Sequence, residues 1–245
     1  MDFFTSEIAK HHQSLYPSQP RDFIDVYLTE MRTNSDLTTE DLACVMADFL
    51  AAGTETSSTT LKWILLYLTL HPLVQEKSRE EIKRVLGSEG RCDMSQLKNL
   101  PYTLSVITEV QRVARVAPIS LMHELNKTTK LGDYIFPKGS VWCANLSYIT
   151  HDPENFKNPF EFNPDRWIGP DGKFQKNEKM IPFGIGKRIC MGELLARNEI
   201  FLFTVNLLQK IRFLLPKHKP VPSLDSYNAS LTRIPDDFYL RFEKC

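Results

Sequence analysis

The chain has 245 residues, enough to bury a large core as one domain or a tight two-layer unit. Hydrophobic residues make up 42% and charged residues 24%, the balance of an ordinary soluble globular body. Thirty basic and 30 acidic residues cancel, which excludes a global field that would recruit nucleic acid or an acidic membrane face.

Residues 1–33 read as helical, with Phe23, Ile24, Val26, Tyr27, Leu28 and Met31 near helical spacing after Pro20. The next element is the longest. Thr38-Thr39-Glu40-Asp41 supplies a cap and first-turn acids, and the apolar pattern then runs to His71-Pro72, where proline stops it. At 1.5 Å per residue such a helix crosses roughly 45 Å. Pro72 opens a helix that ends at Gly87, and Pro101 opens another that ends near Arg115, before Pro118. After Pro118 the grain changes to β-branched and aromatic runs at Ile119–Leu125, Tyr134–Phe136 and Val141–Leu146, separated by Gly132-Asp133 and Lys138-Gly139 turns. Residues 152–182 are rich in Pro, Asn, Asp and Gly and are expected to hold little regular structure. A segment that long without its own helices is usually functional. A helix over 191–209 follows, and the stretch from Phe213 to Phe242 reads as paired strands around Pro-rich turns.

The five cysteines, Cys44, Cys92, Cys143, Cys190 and Cys245, are far apart and odd in number. No Cys-x-x-Cys pair exists, which argues against zinc ribbons and thioredoxin-type chemistry and leaves free thiols in a reducing compartment as the simplest account. No apolar run reaches membrane-spanning length and no signal peptide precedes the first charged segment, so an integral membrane protein is not expected.

Four motifs carry chemistry. Pro182-Phe183-Gly184-Ile185-Gly186-Lys187-Arg188-Ile189-Cys190-Met191-Gly192-Glu193 places one cysteine between a Gly-kinked loop and an apolar helix. A thiol at a helix N-terminus is favoured as the anion by unpaired N–H groups and the helix dipole. Gly184 and Gly186 let the loop take positive φ and approach a flat group closely, and Gly192 does the same for the helix start. Read alone, a single cysteine is most often a small buried hydrophobe. The glycines lack the gap of a phosphate-binding loop and do not follow the dinucleotide pattern. Ala51-Ala52-Gly53-Thr54-Glu55-Thr56-Ser57 sits mid-way along the long helix, where a glycine costs about 1 kcal/mol and a threonine back-bond opens a kink. The bland alternative is a close helix crossing that needs small residues. Glu109 and Arg112 share a helix face, and Phe162-Asn163-Pro164-Asp165-Arg166-Trp167 brings a further arginine.

Phe-x-x-Gly-x-Arg-x-Cys-x-Gly, Ala-Ala-Gly-Thr-Glu-Thr and Glu-x-x-Arg, in that spatial sense and in the family's order along the chain, resemble the cytochrome P450 haem-thiolate monooxygenases. The likeness is greatest to animal microsomal family-two members and to their C-terminal half only, with residues 1–245 as a partial domain. The resemblance implies a mainly α fold with a small β component. It implies haem b, with Cys190 as the axial thiolate to iron, and Phe183, Gly184, Gly186, Arg188 and Gly192 around it. Ala52 and Gly53 would form the oxygen-side groove, with Thr56 and Glu55 relaying protons. His123 corresponds to a haem propionate contact. Glu109, Arg112 and Arg166 correspond to a buried structural triad, and Trp167 stands where phenylalanine is commoner, a change expected to touch only local packing. O₂, a small apolar substrate such as a xenobiotic, fatty acid or steroid, and an NADPH-dependent cytochrome reductase are the implied partners, with Lys173, Lys176, Lys179 and Lys187 as an acidic-partner steering face. The Ala117–Leu121 and Asn228–Leu231 stretches resemble pocket linings. The family's place is the endoplasmic reticulum membrane, reached through an N-terminal half absent here, so the chain alone is expected in the cytoplasm. Strands after Pro118 are then expected to expose an unpaired edge. The alternative is a catalytically silent fragment or isoform that binds haem weakly or not at all.

Overall fold

The computed structural model describes residues 2–225, 227–229 and 231–244. It is mainly helical, with four small two-stranded sheets, and divides into two compact units, Met1–Glu55 and Thr56–Cys245.

In the first unit, α1 (Asp2–Gln13), α2 (Phe23–Glu30) and the opening turns of α3 (Thr39–Leu70) share a small core of Ile8, Leu28, Leu42 and Ala43. Thr38 starts α3 as the sequence requires, its Oγ accepting from the Asp41 N–H at 3.1 Å and donating to the Asp41 carboxylate at 2.6 Å. Every residue from Thr39 to Leu70 remains helical, including Gly53. Proline at the first position of the next helix ends it.

The second unit is built around α5 (Pro101–Ala114), whose residues are almost all buried. A helix covered on every side must take its terminal hydrogen bonds from outside itself. Glu81, on α4 (Pro72–Leu86), reaches across to accept from Tyr102 N–H at 2.9 Å, Thr103 N–H at 2.7 Å and Thr103 Oγ at 2.7 Å. At the other end Arg115 turns left-handed, and Arg233 donates through its guanidinium to Ala114 O at 3.0 Å and through its backbone to Val116 O at 2.8 Å. Trp63, Leu68, Ile82, Val106, Val110 and Phe201 fill the space between α3, α4, α5 and α7 (Glu193–Lys210). Gln75 stitches the last strands to this core by exchanging hydrogen bonds with the Phe213 backbone at 2.8 and 3.0 Å.

The β regions are shorter than the sequence pattern suggests. His123–Glu124 (β1) pairs with Val141–Trp142 (β4), and Thr129–Leu131 (β2) with Tyr134–Phe136 (β3), all antiparallel. The apolar run after Val141 instead turns into α6 (Leu146–His151), started by the Asn145 side chain, which accepts from the Tyr148 N–H. Residues 94–99 form a short 3₁₀ helix behind Asp93 that apolar periodicity does not reveal. Each sheet has two strands among the described residues, so the expected open edges are present, with Leu131, Tyr134, Ile135 and Val141 exposed. Ile211–Leu214 (β5) with Arg241–Lys244 (β8), and Tyr227–Ala229 (β6) with Arg233–Pro235 (β7), realise the closing hairpins. The pocket-like turn at Asn228–Leu231 includes Ser230, and the last cysteine is Cys245; both of these residues lie outside those described.

Removing the Glu81 carboxylate strands the first amides of α5 in the core. Glu81→Ala is expected to cost about 3 kcal/mol in urea unfolding, against less than about 0.5 kcal/mol for the neighbouring exposed Glu80→Ala.

Candidate functional site

The centre of charge in the second unit is the Glu109 carboxylate, which has no solvent exposure. One oxygen accepts from Arg112 at 2.8 Å, from Arg166 at 2.9 Å and from the Asn163 backbone at 3.0 Å. The other accepts from Arg112 at 2.9 Å and from the indole N–H of Trp167 at 2.8 Å. Five donors around one carboxylate offset the cost of burying it. Arg112, also fully buried, spends its remaining donors on the carbonyls of Thr150, Pro159 and Glu161. Arg166 adds Lys157 O at 2.8 Å. Charge pairing therefore pins the irregular segment 152–182 where hydrogen-bonded ladders are lacking. His151 lies beside this cluster, and burial together with the Arg115 and Arg112 charges pushes its pKa down to about 4.

From there the order passes along the chain. Trp167 packs with Phe156 and Met180 in a small buried core, and its carbonyl accepts from Gln175 N–H at 2.7 Å. Met180 thus fixes the chain three residues ahead of Phe183. The loop that follows turns through Gly184 at φ +78° and Gly186 at φ +76°, values that L side chains rarely adopt. The Cys190 N–H donates to Phe183 O at 2.9 Å and closes the loop. Arg197 lies over the Phe183 ring at 4.7 Å while held by Glu193 at 2.8 Å.

Cys190 itself is exposed. It stands two residues ahead of Gly192, the N-cap of α7, rather than within the first turn. A Cβ at Gly192 would lie 3.9 Å from its sulfur, and none at Gly184 or Gly186 would meet any atom within 4 Å. Around the thiol, Ile185, Ile189, Met191, Leu194 and Leu195 are all exposed, an apolar rim with no cover of its own. Arg188 ends a 3₁₀ turn, Gly186–Arg188, exposed and without an ion pair among the described residues. His123 sits on β1 opposite Trp142, ring centroids 5.3 Å apart.

The other sequence motif divides between the two units. Ala52, Gly53 and Glu55 close the first unit, all exposed, with open space where a Gly53 side chain would lie. Thr56 opens the second, half-buried, and its carbonyl accepts from Thr60 Oγ at 2.8 Å. Ser57, which sequence reading passed over, donates to Glu199 of α7 at 3.2 Å and ties α3 to the helix that follows the cysteine.

The chain matches the cytochrome P450 family model over residues 1–242. The chain belongs to the cytochrome P450 family. It is 41% identical to human cytochrome P450 2J2 over 222 residues, which cover 89% of the chain and 44% of that protein. Bovine (Bos taurus) cytochrome P450 2U1 is 41% identical over 226 residues, covering 89% of the chain and 42% of that protein. Human cytochrome P450 2A13 is 36% identical over 246 residues, covering 98% and 50%. The chain thus spans about half the length of the curated relatives it matches, all of the family-two type. The family implies a haem-thiolate cofactor. An outward thiol inside an apolar rim, on a loop with two glycines whose outer faces are open, suits a flat apolar group of that kind. No helix of the described residues is long and apolar enough to cross a membrane.

Position 167 extends the triad read from the sequence. A phenylalanine there would fill the same core but leave Glu109 Oε2 one donor short. Trp167→Phe is expected to cost about 2 kcal/mol in stability, measured by urea unfolding, with the far-UV spectrum unchanged.

Proposed function

We propose that this chain is the haem-binding half of a monooxygenase that acts on small apolar organic molecules, with Cys190 as the thiolate ligand. The exposed sulfur, on a loop anchored to a buried five-donor carboxylate, is the observation that carries the reading. When bound, a haem supplies the redox centre at which O₂ is reduced and one oxygen atom passes to the substrate, with thiolate donation favouring O–O cleavage.

The chain's own residues prepare that chemistry. Phe183 accepts the Cys190 N–H and closes the loop, while the exposed Ile185, Ile189, Leu194 and Leu195 offer an apolar rim from which a bound flat group would displace water. Arg188 has a guanidinium without an ion pair among the described residues, open to a carboxylate on the cofactor's edge, and His123, tilted against Trp142, offers a second donor. Gly184, Gly186 and Gly192 let the backbone approach a flat ring without a Cβ in the way. By the family likeness, Ala52 and Gly53 of the long helix would give room to a diatomic ligand, and Thr56 with Glu55 would hold the protons it needs. Glu109, Arg112 and Arg166 keep the whole support rigid. Electrons come from an NADPH-dependent reductase, drawn to the exposed Lys173, Lys176, Lys179 and Lys187, and the parent protein works at the endoplasmic reticulum.

The open strand edges and the exposed Leu131, Tyr134 and Ile135 favour a second reading, in which the 245 residues alone hold haem weakly and do not turn over. Haemin titration of the purified chain separates the two. Under the first reading the ferrous–CO complex shows a red-shifted Soret band that Cys190→Ala abolishes, and that Cys44→Ala and Cys143→Ala preserve. A band retained in Cys190→Ala removes the ligand assignment, and no haem uptake at all selects the silent fragment.

A further inference from the structure

The segment 152–182 borders a second feature, which shares Lys176 with the groove along the cysteine loop. A cavity of about 400 Å³ lies against the charged cluster, and Arg166 and Trp167, which both bond Glu109, form part of its wall. The remainder is polar. Lys157 and Lys176 stand exposed at the rim, and the amides of Gln175 and Asn177 line the side. No lining residue is a carboxylate. Of the acids next to lining residues in sequence, Asp165 holds Lys77 at 2.8 Å, while Glu154 and Glu178 are exposed; Asp171 accepts the Lys173 backbone at 3.1 Å and faces its ammonium at 3.7 Å. Lys157 and Lys176 have no ion pair or side-chain hydrogen bond among the described residues, and neither has the Gln175 amide. The exposed Gln175 amide lies over Gly169, where an added Cβ would come within 2.2 Å of it and 3.0 Å of the Asp171 carboxylate.

A concave site with two ammonium groups unpaired among the described residues, amide donors and no carboxylate in its lining attracts a compact dianion. The Arg166 guanidinium in the wall is already spent on Glu109 and on the Lys157, Asn158 and Glu161 carbonyls. Its volume exceeds that of one phosphate group, and the buried Phe156 and Trp167 rings form the apolar side. We propose that this cavity binds a phosphate group, free or carried on a small molecule, and that the bound anion braces segment 155–177 through Arg166 and Trp167. The contacts are Lys157 and Lys176 to the phosphate oxygens, with Gln175 and Asn177 as neutral donors. The site shares Lys176 with the lysine face proposed above for the reductase, but phosphate binding is measured without haem or reductase and stands or falls on its own.

The test is calorimetric titration of the full chain with inorganic phosphate and with phenyl phosphate, at fixed ionic strength set by sodium chloride. Saturable binding is expected, weakened roughly tenfold or more in the Lys157→Gln/Lys176→Gln double variant and unchanged in Lys127→Gln/Lys130→Gln, an exposed pair on the β2–β3 side. Tighter binding of phenyl phosphate identifies a carried phosphate, and equal binding a free one. Hydrogen exchange across 155–177 should slow when either ligand is bound. Absence of saturable binding by both ligands, or equal loss in the two double variants, overturns the proposal. A bound ligand that leaves exchange across 155–177 unaltered overturns the bracing role.

Discussion

Everything in the second unit depends on burying one negative charge. A carboxylate taken wholly out of water costs several kcal/mol unless its oxygens are fully engaged, and Glu109 engages both with five donors. Three of those donors come from beyond α5, from Asn163, Arg166 and Trp167. The carboxylate is therefore satisfied only when the segment 152–182 has taken one particular course. Breaking the arrangement would leave Arg112 buried as well, with its carbonyl partners at Thr150, Pro159 and Glu161 stranded.

This explains how a loop with little regular structure can hold a thiol in a fixed place. The path from charge to sulfur is short: Glu109 bonds Trp167, Trp167 packs on Met180, and three residues later Phe183 receives the Cys190 N–H. The cavity beside Lys157 and Lys176 fits the same logic from the other side, because its wall shares Arg166 and Trp167 with the carboxylate. An anion there would brace the frame that positions the cysteine without touching it.

Much of this was readable in the residue order because it rests on local signals. Prolines at 72 and 101, the Thr38 cap and the glycine after Leu86 mark helix ends by backbone sterics alone, and all lie where the structure ends or begins a helix. The glycines at 184 and 186 take the positive φ their spacing suggested. Other features were hidden because they pair residues far apart in the chain. Nothing near Glu81 says that it caps a helix 20 residues on, nor does anything near Ser57 indicate Glu199. Trp167 was visible as an aromatic, yet its N–H partner lies 58 residues earlier. The strands were overestimated because β-branched runs near Pro118 and Val141 have few neighbours to pair with, and Asn145 diverts one of them into α6. Arginines 112 and 166 and the cysteine loop were legible through their fixed spacings, whereas the exposure of Cys190 required the fold.

Hydrogen exchange with mass spectrometry on Arg166→Gln, compared with the unaltered chain, tests the central dependence most directly. If the buried carboxylate controls the cysteine loop, exchange should rise together in 156–177 and in 182–192, while α4 remains protected. Faster exchange in 156–177 with 182–192 unchanged would show that the loop holds the thiol by itself, and would contradict the account.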